Sequence, residues 1–507
     1  TEVLTFEMPR SAHDVFPPMV NISQSRAEQI LVDAIETTPG ADVHWRSRVV
    51  GCEPRGDSVR LDVETPDGVV GLDADWVVAA DGARSVVRDL LGLRLHGTSY
   101  EGRYVIADIH WPSTLPAERK VWFDPPSAPG TTLILHRQPD DIWRVDYQLD
   151  PDEDAELEVQ EDRIRRRIGR HLAWLGDDTP WTLEWASIYR AHALSLDGYR
   201  HGRVLFAGDA AHLVPIFGVR GLNSGLEDAD SLAWMLALVH RGAADDSLLD
   251  VWAAERRNAW EQNIAQADLS TRFMTPGTRG YHLTRDAVLA LTPQHPELRA
   301  LINPRQSSAT HARCSPLSAP SSPAAGPCAG DPVADVPVEP TRVRETGADT
   351  LLRLAAGRFV VLGFGVPVDE RTRVAEAVRA RFGCPDVADV DGAVLDAGAV
   401  AHVLGDLARE TLVIRPDGLV LARLIPGEPL AGAPFSASGE ARPPAAPPGS
   451  RPAASGPERV WTLLSEAIDV MPAQNREQHL TRLLMSLAIT QCTPEQVRKA
   501  TASTTTL

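Results

Sequence analysis

Residues 203–239 read RVLFAGDAAHLVPIFGVRGLNSGLEDADSLAWMLALV and carry the strongest structural signal in the chain. An apolar run ends at Gly208 and Asp209, which predicts a buried strand with Asp209 at its carboxyl end, where open α/β sheets bind ligands. Gly218 and Gly221 allow the backbone to approach a ligand closely, and the apolar residues that follow recur at helical spacing. The stretch therefore predicts a strand, a glycine-rich loop and a helix whose N-terminus faces the ligand of Asp209.

The same pattern limits the chemistry of that ligand. A helix N-terminus presents unpaired N–H groups and a positive charge of about half a unit, which suits a ligand that gains negative charge during reaction. A reduced flavin is such a ligand, because charge builds near its N1 and C2 carbonyl. A lone Gly-Asp pair would be a generic turn, but the full string from Gly208 to Gly225 resembles the ribityl-binding motif of FAD-dependent aromatic hydroxylases of the p-hydroxybenzoate hydroxylase fold.

That resemblance implies roles for individual residues. It implies that Asp209 binds the ribityl chain of FAD, that Pro215 borders the isoalloxazine ring, and that the backbone from Gly221 to Asn223 meets the pyrimidine edge. The further cofactor-binding positions that it implies are Gly208, Ala211, Gly218 and Leu222. His212 is interpreted as a packed or capping histidine rather than a proton shuttle. No catalytic base is assigned, and no metal ligand.

A second strand and turn precede this motif. Residues 75–80 (DWVVAA) predict a buried strand, and the following DGARSVVRDLLG predicts a turn and a short helix that ends near Gly92. The sequence D-G-A-R-S-x-x-R after an apolar strand resembles the second fingerprint of the same family, which lies between the FAD pyrophosphate and the path of the nicotinamide cofactor. The cofactor-binding residues that the resemblance implies here are Asp81, Gly82, Arg84 and Ser85.

The sequence upstream of both motifs is less informative. Residues 21–35 predict a helix, and Gln24 and Arg26 occupy the positions at which relatives keep a flavin-contacting polar pair. No G-x-G-x-x-G follows a strand near the start of the sequence, so we expect the first βαβ unit, which in the family holds the ADP half of FAD, to be missing. A fragment, a processed chain and a misplaced start are all compatible with Thr1 as the first residue.

The region between the two motifs predicts an antiparallel sheet. The segments YVIADIHW, RKVWFD, TTLILHR and DIWRVDYQL alternate apolar and polar residues and are separated by turn residues. Such a sheet would supply largely apolar walls for an aromatic substrate. The resemblance extends to about Leu317 and is nearest to hydroxylases of phenylpropionate-type phenolic acids, including STRFMTP at 270–276 and LINPRQS at 301–307.

The resemblance implies an enzyme, an FAD-dependent NAD(P)H aromatic monooxygenase. This flavoprotein oxidoreductase would insert one oxygen atom of O2 into a small phenolic substrate, with the cofactor carrying the difficult chemistry. Without an ADP-binding unit the chain would bind FAD weakly and could be inactive. Two alternatives stay open, namely a flavin epoxidase or polyketide-tailoring oxygenase, and a catalytically inactive scaffold. The sequence does not fix the ring position or the choice between NADH and NADPH.

Composition divides the chain into five parts. Residues 1–306 predict an α/β body with the antiparallel substrate sheet, which the resemblance implies to be Rossmann-like and FAD-binding, and residues 307–340 predict a linker. Residues 341–431 predict a smaller α/β domain whose order of strands and helix resembles a thioredoxin-like domain, and because it lacks C-x-x-C we expect a role in packing or oligomerisation rather than thiol exchange. Residues 432–458 are a Pro/Ala-rich linker, and residues 459–507 predict a small helical hairpin domain.

Bulk properties exclude some partners. The formal net charge of -19 argues against attraction to nucleic acid or anionic lipid, and no apolar run approaches the ~20 residues that span a bilayer. The five cysteines form no C-x-x-C pair and no metal-ligand spacing, which indicates reduced thiols and a cytoplasmic location. The oligomeric state is left open, with a homodimer as one expectation.

Overall fold

The structure is a computed structural model that describes residues 2–8, 10–150, 152–215, 217, 220–302, 309–318, 326–343, 347–384, 386–432, 435 and 457–469. The strands are β1 Arg48–Pro54, β2 Val59–Thr65, β3 Gly68–Ala74, β4 Val77–Ala79, β5 His96–His110, β6 Arg119–Phe123, β7 Thr132–Arg137, β8 Ile142–Leu149, β9 Thr182–Ser195, β10 Arg200–His201, β11 Val204–Phe206, β12 His212–Leu213, β13 Phe359–Gly363, β14 Val387–Asp391, β15 Thr411–Ile414 and β16 Val420–Leu424. The helices are α1 Gln24–Glu36, α2 Val86–Leu90, α3 Ala155–Glu158, α4 Glu161–Leu175, α5 Gly221–His240, α6 Ser247–Met274, α7 Arg279–Leu291, α8 Arg299–Ile302, α9 Leu351–Ala355, α10 Val368–Phe382, α11 Ala397–Ala399 and α12 Pro457–Asp469.

The two motif-bearing strands lie side by side in the α/β body. β4 pairs in parallel with β11, which pairs with β10, and the Ala207 amide donates to the Ala79 carbonyl at 3.0 Å. β11 is fully buried because all three of its residues are apolar and face the core. Both strands therefore deliver the loops that follow them to the same edge of the sheet.

The N-terminal part of this body has large exposed apolar surfaces. Helix α1 forms as predicted, with Ser23 as its N-cap, but it buries no side chain, and Leu31 is 51% exposed. Val78 on β4 is also exposed, and within the described ranges no strand pairs with the outer edge of β4. The three-stranded sheet β1-β2-β3 packs against α2 through β1.

The predicted antiparallel sheet has six strands in the order β12-β9-β5-β8-β7-β6. Its four predicted strands correspond to β5 to β8, while β9 was not predicted. One face is packed against α4, because Trp143, Val145 and Tyr147 form a core with Ile164 and Ile168 of that helix. The opposite face is directed toward the ends of α6 and α7. The α/β fold class with an antiparallel sheet is thus confirmed.

The C-terminal unit contains a four-stranded sheet in the order β14-β13-β15-β16. β13 is parallel to β14 and antiparallel to β15, and α10 connects the parallel pair. The strands and helix expected of an α/β unit are present, and Asp417 and Gly418 lie in the turn between β15 and β16. The thioredoxin-like assignment itself stays a prediction.

This unit shares a buried interface with the first body. The Trp234 ring of α5 lies edge-on to Phe359, with centroids 5.4 Å apart. Arg415 donates two hydrogen bonds of 2.9 Å to the Glu255 carboxylate of α6 and two, of 3.0 and 2.6 Å, to the Asp417 carboxylate. Because Trp234, Phe359, Arg415 and Glu255 are all buried, the two units are held by a common core and an internal ion pair.

The structure differs from the linker prediction for residues 307–340. Its described residues pack closely: Leu317, Val333, Val336 and Val338 are buried, and Val338 bridges to Leu395. The Ser, Ala and Pro content suggested a stretch unable to order itself, but a few valines suffice because they are inserted into a core that other elements have already formed.

Helix α12 packs on α7. Trp461 lies 4.9 Å from the Tyr281 ring, Ser465 bonds to Thr284 at 2.8 Å, and the Asp469 carboxylate accepts from the Gly280 amide at 2.7 Å. The rest of the predicted hairpin and the linker from 436 to 456 lie outside the described residues. In the described ranges no helix is long and apolar enough to cross a membrane.

Candidate active site

Arg88 connects the two sequence motifs. It is the last residue of the D-G-A-R-S-x-x-R string, is buried, and donates to the Ala210 carbonyl at 3.1 Å and to the Ala83 carbonyl at 2.7 Å. One guanidinium thus fixes the loop after β4 against the loop after β11. The sequence supplied this residue within a motif, but its bridging role follows only from the structure.

The Asp81 and Ser85 side chains cap the short helix α2. Asp81 Oδ2 accepts from the Val87 amide at 3.1 Å, and Ser85 Oγ accepts from the Arg88 amide at 3.0 Å. Gly82 has φ +81°, a left-handed conformation that glycine adopts without strain. Arg84 is exposed. These caps orient the turn and leave Arg84 at the surface of the site.

Asp209 is the charged group at the centre of the second loop. It lies in a 3₁₀ turn directly after β11, its side chain is exposed, and no hydrogen bond to its carboxylate is found in the described part of the chain. Burial raises the pKa of Asp209, and the nearby His212 offsets part of this effect. An accessible carboxylate without a protein partner is suited to accept hydrogen bonds from ligand hydroxyls.

A buried ionic network stands behind this loop. Asp228 of α5 is fully buried and accepts hydrogen bonds from the Gly208 amide at 2.9 Å, from His212 Nε2 at 2.7 Å and from Arg256 Nε at 2.6 Å. Burial alone would raise the pKa of Asp228, but the bonds from His212 and Arg256 outweigh it and hold the pKa below its usual value. His212 is therefore a packed, loop-fixing histidine, as predicted.

Asp228 and Arg256 were not predicted. The available signal was a polar stripe of Ser224, Asp228 and Ser231 at helical spacing within an otherwise apolar helix. A carboxylate at such a position is costly to bury unless it is paired, so it indicates an internal partner.

The loop that follows His212 is fixed to the antiparallel sheet. Tyr189 Oη of β9 donates to the Val214 carbonyl at 2.9 Å, and the Trp260 indole donates to the Leu213 carbonyl at 3.1 Å. Beyond Pro215, the ring of Phe217 lies edge-on to Tyr104 of β5 at 5.4 Å. The loop with Asp209 and the free face of the sheet therefore belong to one site.

Helix α5 starts at this site. It begins at Gly221 without a side-chain cap, and the first N–H groups of a helix have no partner within the helix. Arg220 is held by Asn263 at 2.6 Å, and Asn263 also bonds to Ser224 at 2.9 Å. A Cβ on Gly225 would lie 3.6 Å from Gly208 Cα, which shows how closely the helix passes the loop.

Some of the remaining predicted cofactor-binding positions lie beside the Asp209 loop, and others do not. Ala211 is buried beside the Asp209 turn, and Leu222 is 55% exposed at the start of α5. Gly218 lies outside the described residues. Gln24 and Arg26 are exposed on α1, where the Gln24 amide bonds to Glu28, and the described contacts do not bring them to the Asp209 loop.

Comparison with known families agrees with this geometry. A family model described as FAD binding domain matches residues 5–267, more than half of the chain. The chain belongs to this family. The FAD-binding family assignment confirms the resemblance that the two motifs indicated.

Sequence relatives of this FAD-binding family member are hydroxylases. A 3-(3-hydroxy-phenyl)propionate/3-hydroxycinnamic acid hydroxylase of Burkholderia cenocepacia is 34% identical over 277 residues, 54% of this chain and 50% of the relative. The corresponding protein of Mycolicibacterium smegmatis is 31% identical over 284 residues, 55% of this chain and 49% of the relative. The chain thus spans about half the length of the curated relatives it matches.

Solved structures share the fold over a larger part of the chain. OxyS anhydrotetracycline hydroxylase from Streptomyces rimosus aligns with a TM-score of 0.59 at 26% identity and covers 80% of this chain and 76% of its own. Aklavinone-11 hydroxylase, solved with FAD and aklavinone, aligns with a TM-score of 0.62 at 24% identity, covering 81% and 76%.

The described residues fit the flavin half of FAD. Among them the Asp209 carboxylate has no protein partner, α5 begins beside it without a side-chain cap, and Gly208 and Gly225 leave room for close approach. Ribityl hydroxyls are donors that this carboxylate can accept. The helix N-terminus suits negative charge on a bound flavin ring.

Proposed function

We propose that this protein is an FAD-dependent monooxygenase that uses NAD(P)H and O2 to hydroxylate a phenolic acid. The observation that carries the proposal is the position of the Asp209 carboxylate, without a partner among the described residues, between the end of β11 and the start of α5. Phe217, on the loop that follows Asp209, packs edge-on against Tyr104 of β5, and the two rings form an aromatic surface. The names of the sequence relatives support a 3-hydroxyphenyl-substituted acid as the substrate class.

FAD and the protein side chains would have different roles in the reaction. FAD, when bound, would supply the redox chemistry and the activation of O2. Asp209 would accept hydrogen bonds from the ribityl hydroxyls, and the network of Asp228, His212 and Arg256 would keep its loop in place. Tyr104 and Phe217 would orient the substrate ring and exclude water from it.

Flavin binding and turnover test this proposal separately. The purified chain is titrated with FAD while its visible absorption is recorded, and NAD(P)H oxidation is then followed with 3-(3-hydroxyphenyl)propionate, with the hydroxylated product identified by mass spectrometry. Asp209→Ala should lower FAD affinity about 10- to 100-fold, since hydrogen bonds to a charged group contribute about 1.5–3 kcal/mol.

The control is Asp197→Ala, whose carboxylate is largely exposed and lies near His96. It should leave FAD affinity unchanged. Failure of the wild-type chain to bind FAD, or equal affinity in the Asp209 and Asp197 variants, would contradict the proposal.

A polyketide-tailoring oxygenase is the second candidate. It is favoured by the match to the anhydrotetracycline hydroxylase, which covers 80% of this chain, whereas the phenylpropionate hydroxylase alignment covers 54%. A substrate screen of phenolic acids against tetracyclic aromatic compounds separates the two, because only the accepted class should yield an oxygenated product.

We also propose a cytoplasmic location. Cys52, Cys314, Cys328 and Cys384 are free thiols, which suits a reducing compartment. A homodimer stays a prediction, and light scattering of the purified chain tests it.

A further inference from the structure

The free face of the antiparallel sheet carries one buried carboxylate that the proposed function does not use. Asp146 of β8 is 4% exposed, and its Oδ1 has no hydrogen-bond partner among the residues that the structure describes. A buried charged or polar group without a partner is costly, so native proteins rarely keep one unless a ligand satisfies it.

The register of the strands places Asp146 on the face that meets the Asp209 loop. Asp146 lies opposite Ile106 of β5 and opposite Ile134 of β7, so the three side chains project from the same side of the sheet. Ile134 packs in one cluster with Phe217 of that loop and with Met274 at the end of α6. Asp146 is thus a direct neighbour of the apolar wall beside the proposed flavin site.

Two kinds of surface flank Asp146. On one side lie Tyr104 and Thr132, both buried and tied to the end of α6: Tyr104 Oη bonds to Thr275 at 2.5 Å, and Thr132 donates to the Met274 carbonyl at 2.8 Å. Their polar atoms are therefore already engaged. If the ring of a phenolic ligand contacts this wall, the Asp146 carboxylate is the acceptor that is left for its hydroxyl group.

On the other side lies a charged row. Arg119 of β6, His136 of β7 and Arg144 of β8 are cross-strand neighbours, and Arg144 holds Asp108 of β5 with two bonds of 2.8 Å. Burial, then Arg119 and Arg144, lowers the pKa of His136 to about 4, so this imidazole is neutral at pH 7. Because Asp108 already neutralises Arg144 and His136 is neutral, Arg119 is the cation of this row that attracts an anionic substituent.

Burial raises the pKa of Asp146 to about 7, although Arg144 and Arg119 act in the opposite direction and Asp108 adds to the rise. From α7, Arg285 faces the same wall, with its guanidinium 5.4 Å from the Phe123 ring centroid, and it acts on Tyr104. The carboxylate therefore changes charge in the range where such an enzyme would work.

We propose that Asp146 determines substrate specificity by accepting a hydrogen bond from the ring hydroxyl of a phenolic acid, whose anionic group is oriented by Arg119. This inference rests on the proposed function for its substrate class. Asp146 contacts the substrate, while the Asp209 loop contacts the flavin.

Binding without turnover tests this role. Calorimetric titrations of the full chain compare 3-(3-hydroxyphenyl)propionate with 3-phenylpropionate, which lacks the hydroxyl. The wild type should bind the hydroxylated acid at least about tenfold more tightly at pH 8, and Asp146→Leu should remove this preference. Asp152→Asn, an exposed carboxylate after the same strand, is the matched control and should retain it.

A pH series separates binding from a purely structural role. The preference of the wild type for the hydroxylated acid should increase as the pH rises through about 7, because the ionised carboxylate is the stronger acceptor. In Asp146→Asn this preference should be independent of pH between about 6 and 8. Circular dichroism establishes that each variant is folded. Because neither probe needs flavin, a hydroxyl preference that disappears in Asp146→Leu supports the inference even if NAD(P)H oxidation is never observed.

Three outcomes would overturn it. One is an unchanged hydroxyl preference in Asp146→Leu, and another is the absence of measurable binding of both acids to the wild type. The third is tighter binding of 2-phenylethylamine than of the phenolic acid, which would indicate a cation as the partner of Asp146.

Discussion

The Asp228 carboxylate lies 2.7 Å from Nε2 of His212, and both side chains are buried. The same carboxylate accepts from the Gly208 amide and from Arg256, so a single acidic residue on α5 fixes the loop that presents Asp209. The loop is therefore held by ionic contacts from α5, and the Asp209 carboxylate that it carries has no hydrogen-bond partner among the described residues. This arrangement preorganises Asp209 without using its own carboxylate.

Replacing Asp228 should be strongly destabilising. Asp228→Asn removes one of the two carboxylates that pair with the buried Arg256 and leaves only the more exposed Glu227, and breaking such a buried pair typically costs about 3–5 kcal/mol of unfolding free energy. Urea unfolding at pH 7 measures this loss. Asp178→Asn, at an exposed position away from this network, should stay within about 0.5 kcal/mol of the wild type, and an equal loss in both variants would contradict the network.

The same residue predicts an acid-dependent loss of stability. The pKa of Asp228 is lower in the folded chain than in the unfolded chain, where it is about 3.9. Its stabilisation is therefore present above about pH 4 and decreases as the pH falls through the folded-state value. Urea unfolding of the wild type and of Asp228→Asn is measured between about pH 2.5 and 6. Below about pH 4 the unfolding free energy of the wild type should fall more steeply with decreasing pH than that of the variant.

Arg88 should be essential for the junction of the two motifs. Arg88→Met removes two hydrogen bonds from a buried guanidinium to the carbonyls of Ala83 and Ala210, and we expect a loss of about 2–4 kcal/mol. Thermal unfolding measures it. Arg84→Met, at an exposed position in the same turn, should leave stability within about 0.5 kcal/mol. Similar losses in both variants would exclude the bridging role.

The ion pair between Glu255 and Arg415 should couple the C-terminal unit to the first body. Glu255→Gln removes one anionic partner of the buried Arg415 guanidinium and should lower the unfolding free energy by about 3–5 kcal/mol. The double variant Glu255→Leu and Arg415→Leu should lose less than the sum of the two single variants, although part of the loss remains because Asp417 then lacks Arg415. Urea unfolding followed by tryptophan fluorescence checks this, since Trp234 lies at the interface. A double variant as unstable as the sum of the single ones would contradict the pairing.

Gly280 should be required for the docking of α12. A Cβ at this position would collide with the Ser465 carbonyl oxygen, so Gly280→Ala should release α12 although alanine favours helix formation. Limited proteolysis should then cut near residues 457–469 faster. Gly277→Ala is the matched control, because nothing lies within 4 Å of its Cβ, and it should leave the cleavage rate unchanged.

Much of the site was predictable because local patterns carry local structure. Hydrophobic runs followed by Gly-Asp or Asp-Gly predict strand, turn and helix in order, and this alone puts Asp81 and Asp209 at the ends of strands. The family resemblance was carried by the same residues, and the match over residues 5–267 confirmed it. The alternating segments of the antiparallel sheet followed from the two-residue period of a strand with one covered face.

Local sequence was enough for the fold class, the family and the positions of the two motifs, because each depends on neighbours within a few residues. Which distant groups meet depended on how the whole chain folds. The pairing of Asp228 with His212 and Arg256, the bridge from Arg88 to Ala210 and the burial of Asp146 opposite Ile134 all join separate segments. Their physical basis is burial, since a charge removed from water must find a partner wherever the chain brings one near, and no local pattern records that partner.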